Sequence, residues 1–130
     1  MIILGLRTDK PEAELCLYKD RKCLSKLKWQ AHQRLSKTIH SQIKKLLNRS
    51  SISLKDVEGI VCFQGPGSFT GLRIGLSVVN ALAYANGIPA VAERGDKWLE
   101  MGISDLLAGK GDKIAVPYYD RPAATSAQKS

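Results

Sequence analysis

Apolar residues run unbroken through 1–6 (MIILGL, with one glycine), then alternate at Ala13, Leu15 and Leu17, and both patterns predict strands. Residues 23–29 (CLSKLKW) also read as extended. Polar turns at 7–12 (RTDKPE) and 19–22 (KDRK) make these three strands an antiparallel meander. From about residue 30 to 48 the period lengthens. Leu35, Ile39, Ile43, Leu46 and Leu47 recur at helical spacing, which predicts an amphipathic helix. Ser53 with Asp56 forms a short capping box, and residues 59–63 (GIVCF) are compact enough for a central strand. A second helix is predicted over 71–87, ending at Asn86-Gly87, then a strand at 88–93 (IPAVAE). A third helix is predicted over 96–109, weakened by Gly102, and a last strand at 114–119 (IAVPYY). The order β-β-β-α-β-α-β-α-β predicts an α/β fold, a mixed sheet carrying helices. One domain is expected over residues 1–119, with a flexible polar tail at 120–130.

Between the central strand and the second helix lies QGPGSFTGLRIG, residues 64–75, with four glycines and one proline in twelve positions. Such a turn suggests phosphate binding, but a P-loop needs Lys followed by Ser or Thr, and the dinucleotide fingerprint needs a third glycine at fixed spacing. Neither is present. Ser68 or Thr70 could still cap the helix and leave its N–H groups to an anion. The alternative is structural. Gly65, Pro66 and Gly67 shape the turn, while Gly71 and Gly75, four apart, clear one helical face for close packing. Leu72, Leu76, Val79 and Ala83 form an apolar face beside them, widened by Val78, Leu82 and Ala85. Only Arg73, Ser77, Asn80 and Tyr84 offer a polar side. A helix apolar over most of its circumference is buried on two sides, and in so small a domain the second side suggests a protein partner.

Composition adds a sign. The net charge is +8 with pI about 9.6, which favours acidic partners such as RNA, DNA or an acidic protein face. Residues 21–55 hold ten of the 20 Lys and Arg and no Asp or Glu, either a solvated helix face or a surface that docks RNA or an acidic protein. Aromatics are only 6%, too few for a base-stacking platform. His32 and His40 sit eight residues apart, about 12 Å along a helix, and cannot chelate one metal. Ser68 lacks the second glycine of a nucleophile elbow, and the acids are scattered, so no catalytic residue, cofactor or metal site is assigned. Cys16 and Cys62 sit in apolar runs and read as buried free thiols of a reducing compartment. The apolar start is broken by Arg7, Asp9 and Lys10, so neither signal peptide nor membrane span is expected, and a cytoplasmic protein is.

Residues 65–85, GPGSFTGLRIGLSVVNALAYA, resemble the TsaB family of bacterial tRNA threonylcarbamoyladenosine biosynthesis proteins. The flanks agree, from IILGLRT through HQRLSKTIHSQIKKLL and SISLKDVEGIVCFQ to IPAVAE, over most of residues 1–93; beyond it VPYYDR looks like the family's C-terminal strand and tail. The resemblance implies a ribonuclease-H-like lobe of the actin/Hsp70-like ATPase superfamily. It implies a non-catalytic subunit that pairs with the related transferase TsaD in modifying the adenosine 3′ to the anticodon, with the ATPase TsaE in the same assembly. The pairing helices of the family, also used for self-association, correspond to residues 30–48 and 69–86. Leu72, Arg73, Leu76, Val79 and Ala83 are therefore expected at the partner surface, joined by Ile39 and Ile43 unless the sheet covers the first helix. The basic segment 21–55 is expected to help attract tRNA. Two departures accompany the resemblance. Arg7 stands where ATP-using relatives carry an Asp, which argues against ATP hydrolysis. And 130 residues cannot hold two full lobes, so most of the second lobe is expected to be missing. The alternatives are a homodimeric RNA-binding protein and a small nucleotide hydrolase using the Gly-rich loop.

Overall fold

The computed structural model describes residues 1–67 and 69–111. The strand expected at 114–119, the tail at 120–130 and the helix-capping role of Ser68 fall outside them. Three strands open the chain: β1 (Ile2–Arg7), β2 (Glu12–Lys19) and β3 (Lys22–Gln30). A 3₁₀ turn at His32–Arg34 leads into α1 (Leu35–Arg49), and a second turn at Leu54–Asp56 leads into β4 (Gly59–Gly65). The Asp56 carboxylate accepts from both the Ser53 N–H and its hydroxyl, at 3.0 and 3.1 Å, so the expected capping box starts that turn. Then follow α2 (Phe69–Asn86), β5 (Ala90–Arg94) and α3 (Trp98–Leu107). Gly87 closes α2 at φ 63°, a conformation that favours glycine.

The strands lie in the order β3-β2-β1-β4-β5. The meander is antiparallel, and β4 joins β1 in parallel, with Leu4 opposite Ile60 and Leu6 opposite Cys62. β5 joins β4 in parallel. β1 and β4 are central and buried on both faces, which is why they read as continuous apolar runs. Their alternation divides the core. Leu4, Leu6, Ile60 and Cys62 meet α1 and α2 on one face, while Ile3, Val61 and Phe63 meet α3 on the other. Gly102, a mark against a helix in isolation, is what seats α3: a Cβ there would run into the Val61 side chain. Cys16 and Cys62 are buried, and burial pushes both thiols up to about 12, so neither is a nucleophile at neutral pH. Among the described residues no helix is long and apolar enough to cross a membrane.

Where α3 meets β5, the Glu93 carboxyl lies close to that of Asp105. Partial burial and that neighbouring carboxyl push Glu93 from 4.5 up to about 7. A raised carboxyl pKa favours the protonated fold, so this contribution is complete below pH 4.5 and is lost as pH rises through 7. Thermal melts across that window are expected to show the wild type losing stability relative to Glu93→Gln as pH rises. Parallel curves would rule the pair out as a determinant.

Candidate partner surface

The Gly-rich stretch is built around the turn that joins β1 to β2. Gly65 ends β4 at φ 120°, outside the range of ordinary L residues. Gly67 lies against Asp9, and a Cβ on it would collide with that side chain. One turn into α2, Gly75 faces Thr8, where a Cβ would strike the Thr8 hydroxyl. That hydroxyl donates to the carbonyl of Gly71 at 2.7 Å, and Thr8 is 2% exposed. Gly67 and Gly75 thus give clearance to residues 9 and 8.

The turn is locked from its other side as well. Arg7 Nε donates to Asp9 Oδ1 at 2.7 Å and Nη2 to Oδ2 at 3.2 Å, a two-pronged pair in which the Asp9 side chain is only 6% exposed. The guanidinium lies 4.0 Å from the centre of the Phe63 ring, and Phe63 meets Trp98 edge-on at 5.8 Å. The Asp9 hydrogen bond raises the Arg7 pKa above its ordinary value. At the end of β1, then, the nearest carboxylate is committed to an arginine. Among the described residues no three of His, Cys, Asp and Glu converge in a way that could hold a metal ion.

The faces of α2 correct the expected contact residues. Leu72, Leu76, Val79 and Ala83 are 0–2% exposed and lie inside the lobe. On α1, Ile39 and Ile43 are buried at 0% and 4%. The sheet covers that helix, so neither residue can meet a partner directly. Of the seven expected contact residues only Arg73 reaches the surface. The physical reason is the glycine face: Gly75 must lie against Thr8, and this turns the adjoining stripe toward the sheet. The outward strip of α2 is Arg73, Ser77, Ala81, Tyr84 and Ala85, with Ile74, Asn80 and Leu82 half-buried along its margins. Tyr84 stands at its end, 90% exposed. Sequence reading named Arg73, Ser77, Asn80 and Tyr84 as the polar side but did not choose it as the contact face. The position of Gly75 is the signal that could have done so.

A family model described as TsaD, tRNA N6-adenosine threonylcarbamoyltransferase, matches residues 29–93, half of the 130-residue chain. A TsaD of that name from Geotalea uraniireducens is 44% identical over 52 residues, 40% of this chain and 15% of the relative. The tRNA threonylcarbamoyladenosine biosynthesis protein TsaB of Escherichia coli is 30% identical over 92% of this chain and 54% of its own length. Other curated TsaB proteins match at similar identity. The chain belongs to the family of that model and is a member of the TsaB family. It spans about half the length of the TsaB proteins it matches, between 38% and 54% of them. Among solved structures, YeaZ from Pseudomonas aeruginosa superposes with a TM-score of 0.67 at 27% identity, covering 72% of this chain and 43% of that one. The TsaB lobe described here therefore has the expected ribonuclease-H-like architecture, with its Gly-rich turn seated on residues 8 and 9.

Proposed function

We propose that this lobe acts in tRNA N6-threonylcarbamoyladenosine synthesis as a non-catalytic subunit that pairs with a TsaD-like transferase through the outward strip of α2. The observation that carries the reading is the strip itself. Ser77, Ala81 and Ala85 are small enough to let another helix lie close, and Tyr84, 90% exposed at its end, is a ready anchor. Aromatic anchors flanked by small contacts are typical of sites where a few residues dominate binding. The names of the relatives support the pathway, and the likeness of this chain to TsaD supports a related fold as its partner. A second copy of the chain would use the same strip when the partner is absent. The non-catalytic reading is supported by Arg7 and Asp9, which hold each other at the end of β1 where a carboxylate would have to be free to orient a metal-bound phosphate.

Size-exclusion chromatography with light scattering, on the chain alone and with its cognate TsaD-like protein, tests this. The wild-type pair is expected to run at the summed mass. Tyr84→Ala combined with Ala81→Glu is expected to weaken pairing by about thirtyfold or more, in line with a hot-spot loss of about 2 kcal/mol, with an unchanged melting temperature. Pairing that survives this double substitution would move the interface elsewhere.

A further inference from the structure

The charge on this lobe is arranged more selectively than the sequence suggests. The alternation of β3 turns Leu27 inward toward the helices. Lys26 and Lys28 lie beside Glu14, Asp96 and Glu100 in a hollow of about 340 Å³ on the α3 side. Arg21 reaches Ser104 on α3 at 3.0 Å, and Arg49 donates to the Lys26 carbonyl at 3.1 Å. The continuous basic block of residues 21–55 is therefore split between faces.

What remains together is a track on the α1 side. At its head is a groove of about 880 Å³ between the β1–β2 turn, the 3₁₀ turn before α1 and the first turn of α2. Its walls are tied to one another. The Pro11 carbonyl accepts from the N–H groups of Ala31 and His32, at 2.8 and 3.2 Å, and Thr8 holds Gly71. Lys10, His32 and Arg34 line this groove, all three are exposed, and no acidic residue lines it among the described residues. Of the nearby carboxylates Asp9 is paired with Arg7, while the exposed Glu12 meets the neutral Gln30 amide at 3.5 Å. His32 holds φ 46°, unusual for a non-glycine residue. From Arg34 the track continues along α1 through Lys37, Ser41, Lys44 and Asn48, spaced 4, 3 and 4 apart on one exposed row, with Lys45 beside it. That row alone is about 16 Å long.

We propose that this groove and row form a binding track for the phosphate backbone of a folded RNA. Lys, Arg, Ser and Asn are among the side chains that contact phosphate oxygens. An acidic protein face is the other occupant the charge allows, but protein interfaces draw their energy from aromatic and large apolar anchors. Among the described residues the exposed large hydrophobic ones are Tyr84 on α2 and Met101 on α3, and neither is on the row. The row carries no Phe, Tyr or Trp, and the exposed rings near it are the small imidazoles of His32 and His40, which disfavours a stacking platform for single-stranded bases and favours backbone contact with a structured RNA. Only the choice of tRNA as that RNA rests on the function proposed above; the track does not.

The test is fluorescence anisotropy of an unmodified tRNA transcript with the full 130-residue chain over a salt series. Binding is expected at about 50 mM salt, with steep weakening toward about 200 mM. Lys37→Glu with Lys44→Glu is expected to weaken it at least tenfold and to flatten the log–log salt slope by about 1.5, the loss of two phosphate contacts. Lys97→Glu, on the exposed start of α3, is the charge control and is expected to change affinity less than twofold. Tyr84→Ala with Ala81→Glu is expected to retain RNA binding, which separates this track from the pairing strip. No binding at low salt, or equal losses from the row and the control, would overturn the track. So would row variants that keep RNA but lose the TsaD-like subunit, since the row would then dock a protein.

Discussion

Leu76→Asp is expected to unfold the lobe, not merely to deprive it of a partner. Leu76 is 2% exposed and packs in the cluster that contains Leu4, Leu6, Ile39 and Ile60. Removing a buried leucine side chain costs about 2–5 kcal/mol. A carboxylate placed there without a cation adds several kcal/mol more, or must take up a proton to remain. The sum is comparable with the whole stability of a domain this size, about 5–15 kcal/mol. Far-UV circular dichroism and urea titration are expected to show no cooperative transition for Leu76→Asp at 25 °C. Leu76→Ala should stay folded with a midpoint shift worth about 3 kcal/mol. Tyr84→Ala, on the exposed strip of the same helix, is expected to change stability by less than about 0.5 kcal/mol. A native melt from Leu76→Asp would mean that α2 presents its Leu76 side outward, and the pairing strip would then be reassigned.

That contrast marks where sequence reading succeeds and where it stops. The strands were legible because alternation in β2 and unbroken apolar runs in β1 and β4 report directly on one-sided and two-sided burial. The helices were legible as elements, α2 and α3 to within two residues at each end, while α1 begins at Leu35, five residues later than expected. The orientation of α2 was not. Val78, Leu82 and Ala85 widen its apolar stripe until periodicity no longer selects a side, and the deciding contact, Gly75 on Thr8, joins residues 67 positions apart. The same holds for charge. Residues 21–55 form one basic block along the chain, but a strand alternates its side chains across a sheet and a helix does not, so Lys26 and Lys28 part from Lys37 and Lys44. Arg7 was conspicuous in the sequence as a cation in an unexpected place. Its pairing with Asp9 across a tight turn, over the ring of Phe63, needed the parallel register of β1 and β4 to be seen.

Arg7→Met is expected to be the costliest substitution at the end of β1. Methionine keeps an unbranched apolar stem near Phe63 but removes both hydrogen bonds to Asp9. The carboxylate, 6% exposed, is then left without its cation. Breaking a fully buried pair from one side costs about 3–5 kcal/mol, and with Arg7 itself 21% exposed the lower end of that range, about 3 kcal/mol, is expected. Asp9→Asn should cost less, about 1–2 kcal/mol, because the more exposed guanidinium keeps water and the Phe63 ring as partners. Urea midpoints of the two single variants and the double variant give the coupling energy directly, and a value near zero would show the pair to be a solvated contact. The consequence reaches beyond stability. Asp9 lies against Gly67, and Thr8 beside it holds Gly71 and faces Gly75, so the Arg7–Asp9 pair fixes the turn on which the start of α2 rests. Arg7→Met is therefore expected to weaken pairing with a TsaD-like subunit without touching Tyr84. Its melting temperature should fall, which the strip variants leave unchanged, so light scattering and thermal melts together separate a lost anchor from a lost foundation.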